Sequence, residues 1–124
     1  MSSMDEKTKI LYIDDEDINL QLFEINFSDK YHVMIADNGF AGLEILDENP
    51  DVLTVISDMK MPGMNGIEFI KKAKEKFPQK HFYIITGFDS SPEICEAIES
   101  QLILKQFRKP YDKNEIERAL NEMY

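Results

Sequence analysis

The chain has 124 residues, which is the length of one globular domain and too short for two. Its composition, 43% hydrophobic and 31% charged with no low-complexity segment, excludes an intrinsically disordered chain. A formal net charge of -10 argues against a broad basic face that would bind nucleic acid, so we expect no direct nucleic-acid contact.

Short apolar runs alternate with amphipathic stretches along the chain. Residues 1–7 are expected to form a loosely ordered N-terminal segment. Strand-length apolar runs then follow at residues 10–13, 32–36, 52–57, 82–86 and 102–107. Apolar residues at helical spacing come after each run: Leu20, Phe23 and Phe27; Leu43 and Leu46; Ile67, Ile70 and Ala73; Ile94, Ala97 and Ile98; Ile116, Leu120 and Met123. Asp112 and Glu115 form a capping-box pattern before the last helix.

The strict alternation of strands and helices predicts the fold class. Near-continuous apolar strands between helices are typical of an α/β protein with a parallel sheet covered on both faces. No linker or repeat interrupts the sequence, so we expect residues 1–124 to form a single domain. In such sheets ligands bind beyond the carboxyl ends of the strands, where the strand order reverses, and the residues that follow the first, third, fourth and fifth strands should converge there.

Two further properties narrow the class of protein. No apolar stretch approaches the roughly 20 residues that cross a bilayer, so we expect a soluble cytoplasmic protein without membrane contact. Cys95 is the one cysteine, which excludes an internal disulfide, and the two histidines, His32 and His81, lie far apart in the sequence. Cysteine and histidine therefore indicate no metal site.

Acidic residues follow the first and third predicted strands. The first strand runs into Asp14, Asp15, Glu16 and Asp17, and the third ends at Asp58. Acids that open a helix commonly complement its dipole, which is an ordinary explanation for the first group taken alone. If both groups share one cleft, however, their charges repel and raise at least one pKa. Carboxylates, a backbone carbonyl and water suit Mg²⁺, and Mn²⁺ could take its place, so we expect a divalent cation there.

The fourth and fifth strands add a hydroxyl and a cation to this edge. Thr86 ends the fourth strand, where its hydroxyl is either a turn group or a donor to a phosphoryl oxygen. Lys109 follows the fifth strand and precedes Pro110, which permits a cis bond. A lysine aimed into an acidic cleft can act as a point charge for a bound phosphoryl group.

Four segments, ILYIDDED, VISDMKMPGMNG, YIITGF and FRKPY, resemble the signature segments of CheY-like receiver domains of two-component response regulators. The resemblance covers essentially the whole chain and implies a flavodoxin-like fold of five parallel strands in the order 2-1-3-4-5. It implies that Asp58 is the phosphoacceptor and binds Mg²⁺ together with Asp15 and the backbone carbonyl of Lys60. Asp14 would act on the metal through a bound water.

The same resemblance implies the other partners in the reaction. Thr86 would contact the phosphoryl group, and Lys109 would pair first with Asp58 and then with the phosphate. The donor would be a phosphohistidine on a sensor histidine kinase or a histidine phosphotransfer protein. The domain would be a self-modifying switch rather than a turnover enzyme, and it would act in trans on a downstream protein that the sequence does not identify.

The sequence departs from the family pattern at its switch position. Receivers commonly carry Tyr or Phe three residues before the lysine, whereas this chain has Gln106, so Gln106 and Thr86 are expected to couple only partially to the output face. Phe107 should point the other way, into the core. Lys60 and Phe88 occupy positions that flank the phosphoryl group and could screen it from water. The segment DMKMPGMNGIE also resembles stand-alone receivers that pass a phosphoryl group onward.

Three other functions remain open on the residues alone. A receiver fold could serve as a phosphorylation-independent binding module, although the intact acids, Thr86 and Lys109 count against that. A flavin-binding flavodoxin relative would need hydroxyls and amides after the first strand, where this chain has acids. An aspartyl-phosphate phosphatase would need an acid two residues after its nucleophile, where this chain has Lys60.

Overall fold

A computed structural model of the protein describes residues 7–87 and 91–123. Five strands and five helices alternate along the chain. The strands are β1 (Thr8–Ile13), β2 (Tyr31–Ala36), β3 (Thr54–Asp58), β4 (His81–Thr86) and β5 (Lys105–Arg108). The helices are α1 (Asp17–Phe27), α2 (Gly39–Glu48), α3 (Gly66–Lys76), α4 (Pro92–Glu99) and α5 (Lys113–Met123). Within the described ranges, no helix is both long and apolar enough to span a membrane.

The N-terminal segment predicted to be loosely ordered falls mostly on residues 1–6, which lie outside the described residues, as does Phe88. Its last residue, Lys7, is described, and its Nζ donates to the Ser28 carbonyl over 2.6 Å.

The five strands form one parallel sheet in the order β2-β1-β3-β4-β5, which confirms the predicted fold class and strand order. Strand order reverses at β1, which pairs with β2 on one side and with β3 on the other. The register aligns the carboxyl ends of the central strands, with Ile13 beside Ser57 and Asp58 beside Ile85. Residues that leave β1 and β3 therefore start from the same edge of the sheet.

Each face of the sheet carries its own hydrophobic core. Leu11 and Ile13 of β1 face the cluster under α2, α3 and α4, whereas Ile10 and Tyr12 face the cluster under α1 and α5. Because side chains alternate along a strand, a central strand that is covered on both faces must be apolar throughout. This explains the unbroken apolar runs in the sequence.

The predicted apolar faces of the helices are largely buried. Ile98 is the clearest exception, since it is 39% exposed, and Leu43 is half-buried. The side chain of Met123 lies outside the described residues. The remaining predicted positions are buried: Leu20, Phe23, Phe27, Leu46, Ile67, Ile70, Ala73, Ile94, Ala97, Ile116 and Leu120.

The fifth strand begins later than predicted, at Lys105 rather than Leu102. The apolar residues before it belong to the connection from α4, in which Ile103 is buried against the core. This connection opens with Gln101 in the left-handed region at φ 65°, directly after α4 and its C-cap Ser100. The Leu104 amide already donates to the Phe82 carbonyl over 2.8 Å. Burial in a connection therefore gave the same apolar signal as a strand.

Side-chain caps fix the beginnings of several helices. Asn65 and Glu68 form a complete capping box at α3, and the spacing of these two residues in the sequence is a signal for it. At the predicted cap of α5, Asp112 Oδ1 accepts from the Asn114 amide over 2.9 Å. Glu115 there pairs with Lys105 at 3.5 Å. The α3 cap matters for function because it ends the loop that follows Asp58.

Candidate functional site

Three carboxylates meet at the carboxyl edge of the sheet. Asp14 and Asp15 follow β1, and Asp58 is the last residue of β3. One oxygen from each lies within 4.8 Å of the others. Lys109 Nζ lies 3.1 Å from Asp14 Oδ2 and 3.2 Å from Asp58 Oδ1. The structure thus brings together the acids and the lysine that the sequence placed after different strands.

Asp14 is completely buried and accepts three hydrogen bonds. Its Oδ2 accepts from Tyr12 Oη over 2.7 Å and from Lys109 Nζ over 3.1 Å. Its Oδ1 accepts from the Glu16 amide over 3.0 Å. A buried carboxylate requires such partners, and three donors occupy most of its roughly four acceptor positions. Asp14 is therefore held in place by the protein, whereas Asp15 is exposed.

Tyr12 is a site residue that sequence analysis missed. It lies two residues before Asp14, and residues two apart in a strand point to the same face. A tyrosine at that spacing before a strand-end aspartate was therefore a signal that could have been used. Burial and the neighbouring charge of Asp14 raise the Tyr12 pKa, so its hydroxyl stays protonated and remains a donor.

Asp58 has a pKa raised to about 6. Burial is the largest cause, repulsion by Asp14 adds to it, and the ammonium of Lys109 opposes both. Burial also lowers the pKa of Lys109, but its hydrogen bond to Asp14 and the charge of Asp58 raise it more, so the ammonium is retained. The single ammonium of Lys109 does not balance three neighbouring carboxylates, so binding of a divalent cation beside them is favourable.

The ends of β4 and β5 position the remaining groups. Thr86 is buried, and its carbonyl accepts from the Lys109 amide over 2.8 Å, which fixes the start of the lysine side chain. The Lys109–Pro110 bond is cis, as the sequence allowed. Gln106 is half-buried, whereas Phe107 is buried and stacks on Tyr83 with ring centroids 5.5 Å apart. The prediction that Phe107 lies in the core is confirmed.

An open cleft lies next to the acids and is lined by Asp15, Lys60, Met61, Pro62 and Asn65. Asp15 therefore lies beside the loop that follows Asp58. The carboxylates, with a backbone carbonyl from this loop, are the hard oxygen donors that Mg²⁺ prefers, so the residues present fit that ion.

Gly66 lets α3 begin directly against the end of β3. Its amide donates to the Met59 carbonyl over 2.8 Å, and a Cβ added to it would lie 2.4 Å from the Asp58 carbonyl oxygen. We expect Gly66→Ala to lower the free energy of unfolding by about 1 to 3 kcal/mol, because the backbone under Asp58 must move. Urea unfolding measures this. Gly87→Ala is the control, since a Cβ there would come no closer than 4.0 Å to Lys109, and an equal loss in both variants would contradict the steric explanation.

Comparison with known proteins identifies the family to which the chain belongs. The sequence profile of the response regulator receiver domain matches residues 10–121. The chain belongs to the receiver domain family. It is 36% identical to sporulation initiation phosphotransferase F of Bacillus subtilis over 116 residues, covering 92% of this chain and 91% of that protein. It is 33% identical to the response regulator receiver protein CpdR of Brucella abortus, covering 92% of this chain and 97% of that protein.

Solved structures agree with this membership. A response regulator receiver domain protein from Clostridium thermocellum is 31% identical, with a TM-score of 0.82 over 93% of this chain and 92% of that one. Receiver domains are signalling modules that bind Mg²⁺ at an acidic pocket, and Asp14, Asp15 and Asp58 form a cluster that could hold a metal ion in this chain. Receiver domains of this kind interact with histidine kinases or phosphotransfer proteins.

Proposed function

We propose that this receiver is a phosphorylation switch in which Asp58 accepts a phosphoryl group from a phosphohistidine of a sensor kinase or phosphotransfer protein. One observation carries the proposal: Asp58, at the carboxyl edge of β3, has Lys109 Nζ 3.2 Å from its Oδ1 and the carboxylates of Asp14 and Asp15 beside it. The three carboxylates would repel a phosphoryl group by themselves. The ammonium of Lys109, and a metal ion held by the carboxylates, would offset that repulsion, which is the arrangement that phosphoryl transfer requires.

In the proposed reaction an oxygen of the Asp58 carboxylate attacks phosphorus in line, a P–O bond forms, and the P–N bond to the donor imidazole breaks. Mg²⁺, when held by Asp15, Asp58 and the Lys60 carbonyl, supplies positive charge to the phosphoryl oxygens. Lys109, whose Nζ lies 3.2 Å from Asp58 Oδ1, neutralises charge on the same group. The reaction modifies the protein itself, so the domain is a switch rather than a turnover enzyme.

The other residues orient these groups and transmit the signal. Asp14 would act on a bound cation through a water, and its three protein donors are consistent with that role. The Thr86 hydroxyl donates to a phosphoryl oxygen. Gln106 replaces the aromatic switch residue, so we propose a partial shift toward the active state. A complete reversal, from about 1:99 to 99:1, needs roughly 5.5 kcal/mol of differential stabilisation.

The output proposed for this switch is the binding of a downstream protein at the face formed by α4, β5 and α5, or the passing of the phosphoryl group to another protein. The second route is supported by similarity to a protein named sporulation initiation phosphotransferase F. A module that binds partners without phosphorylation is the alternative. Equal partner affinity with and without a phosphoryl mimic would favour that alternative.

The test is exposure of the native chain to a small phosphoryl donor, acetyl phosphate, with and without Mg²⁺, followed by intact-mass spectrometry. We expect one phosphoryl group to be added to the native chain only when Mg²⁺ is present. Asp58→Asn should abolish the addition, because an amide oxygen is a far weaker nucleophile than a carboxylate. The matched control is Asp29→Asn, at an exposed acid outside the cluster, which should be modified like the native chain. Modification that persists in Asp58→Asn, or none in the native chain, would refute the proposal.

A further inference from the structure

Tyr12 is a buried residue of β1, and its hydroxyl contacts the acidic cluster from the core. Its ring stacks on Phe23 of α1, with centroids 4.1 Å apart and planes 13° apart. Phe23 in turn contacts Phe27 and Tyr111. Packing on several sides leaves the ring little freedom, so the position of the hydroxyl oxygen is set by the core. From there it donates to Asp14 Oδ2 over 2.7 Å.

The oxygen that Tyr12 holds is shared with Lys109. Asp14 Oδ2 also accepts from Lys109 Nζ over 3.1 Å, and the same ammonium lies 3.2 Å from Asp58 Oδ1. Lys109 therefore divides its hydrogen bonds between a buried carboxylate and the phosphoacceptor. Once a phosphoryl group is on Asp58, the ammonium has a more strongly charged partner there. Moving toward it removes a donor from Asp14 Oδ2.

Such a move would be unfavourable if Asp14 Oδ2 were left without a donor, since a buried acceptor without a partner carries the full cost of its desolvation. The Tyr12 hydroxyl removes that cost, because it stays on the same oxygen when the ammonium leaves. A hydroxyl is suited to this because it adds no charge to compete with Lys109 or with a cation.

We propose that Tyr12 is a positioning residue for phosphoryl acceptance: it holds Asp14 Oδ2 so that Lys109 is free to turn to the phosphoryl group on Asp58. This role rests on the proposed function. Without the hydroxyl, Asp14 depends on Lys109 and retains the ammonium. Anion binding at Asp58 then weakens, whereas binding of the cation alone changes little.

The test uses Tyr12→Phe, which keeps the ring and removes one oxygen. Beryllofluoride, a phosphoryl mimic, is titrated onto the full chain with Mg²⁺ and followed by ¹⁹F NMR. We expect its affinity to fall about tenfold, the effect of one charge-assisted hydrogen bond. Mn²⁺ binding without the mimic, followed by electron paramagnetic resonance, should stay within about twofold, because a neutral hydroxyl contributes little charge at the metal.

Tyr111→Phe is the matched control. It removes a hydroxyl from a neighbouring ring, and the oxygen of that hydroxyl accepts from Asn26 of α1 over 2.9 Å. Its beryllofluoride affinity should equal that of the native chain. Native-like mimic affinity in Tyr12→Phe would overturn the role of Tyr12 while the proposed function stands, and equal losses of mimic and Mn²⁺ affinity would show a general disturbance instead. A native chain that binds no mimic and accepts no phosphoryl group would refute the proposed function and the role of Tyr12 with it.

A second measurement needs no variant. The hydroxyl proton of Tyr12 can be followed by ¹H NMR in the native chain before and after beryllofluoride is added. We expect it to move downfield, because Asp14 Oδ2 then has one donor fewer and its bond to Tyr12 strengthens. A resonance that does not move would show that Lys109 keeps its contact with Asp14, and would overturn the proposal.

Discussion

Lys109→Met is expected to lower the free energy of unfolding by about 2 to 3 kcal/mol at pH 7 without metal, somewhat less than for a fully buried pair because Lys109 is 26% exposed. The change keeps an apolar side chain of similar length but removes the charge that lies 3.1 Å from Asp14 and 3.2 Å from Asp58. Asp14 is completely buried and would keep only its bonds to Tyr12 and the Glu16 amide among those described. Urea unfolding in the presence of a chelator measures the loss.

Lys76→Met provides the matched control for the loss of a lysine that pairs with an aspartate. Lys76 lies 2.8 Å from Asp47, but both side chains are about half exposed, so we expect a change of no more than about 0.5 kcal/mol. Similar losses in the two variants would contradict the idea that burial of Asp14 sets the cost. Lys109→Met should also slow metal-dependent phosphoryl acceptance by about 100-fold or more, since it removes a fixed charge beside the reacting group.

The sequence was sufficient for the fold and for the convergence of the site. Strands that are covered on both faces must be apolar throughout, and parallel strands bring their carboxyl ends to one edge, so the sequence alone predicts that Asp14, Asp58 and Lys109 converge. The Asp58 pKa is raised to about 6 by burial first and by repulsion from Asp14 second, so the expected effect of crowding is present but is not the largest cause.

The contacts and exposures that the sequence did not predict depend on how far individual side chains extend. Lys109 was expected to pair with Asp58, but it lies between Asp58 and Asp14, because both carboxylates fall within reach of one ammonium. Tyr12 was counted only within the apolar strand run 10–13, because the spacing of two residues gives a shared face and does not show that its hydroxyl reaches Asp14. Ile98 shows the opposite error, because apolar spacing alone does not indicate which residues at the margin of a helix face stay exposed.

Asp58→Asn is expected to raise the free energy of unfolding of the metal-free protein by about 2 to 3 kcal/mol at pH 7. The Asp58 pKa is raised from 3.8 to about 6 in the folded state, so the native chain holds more protons than the unfolded chain between these values. Stability from the protonated form is therefore present at low pH and is lost as the pH rises through about 6. An amide stays neutral at every pH and avoids that loss.

Because the stability gained in Asp58→Asn comes from removing a carboxylate charge, its size should depend on pH and on bound metal. Thermal unfolding with a chelator should show the largest gain above pH 6.5 and almost none near pH 4, where the native Asp58 is itself largely protonated. Asp29→Asn, at an exposed acid outside the cluster, should change stability by less than about 0.5 kcal/mol throughout. A gain in Asp58→Asn that is independent of pH would contradict the electrostatic origin. Mg²⁺ should reduce the gain in stability, because it binds the three carboxylates of the native chain more tightly than it binds the site of the Asp58→Asn variant. It therefore stabilises the native chain more than the variant. Burial of Asp58, together with repulsion by Asp14, makes its negative charge unfavourable in the metal-free fold, and a cation bound at the site offsets that same charge.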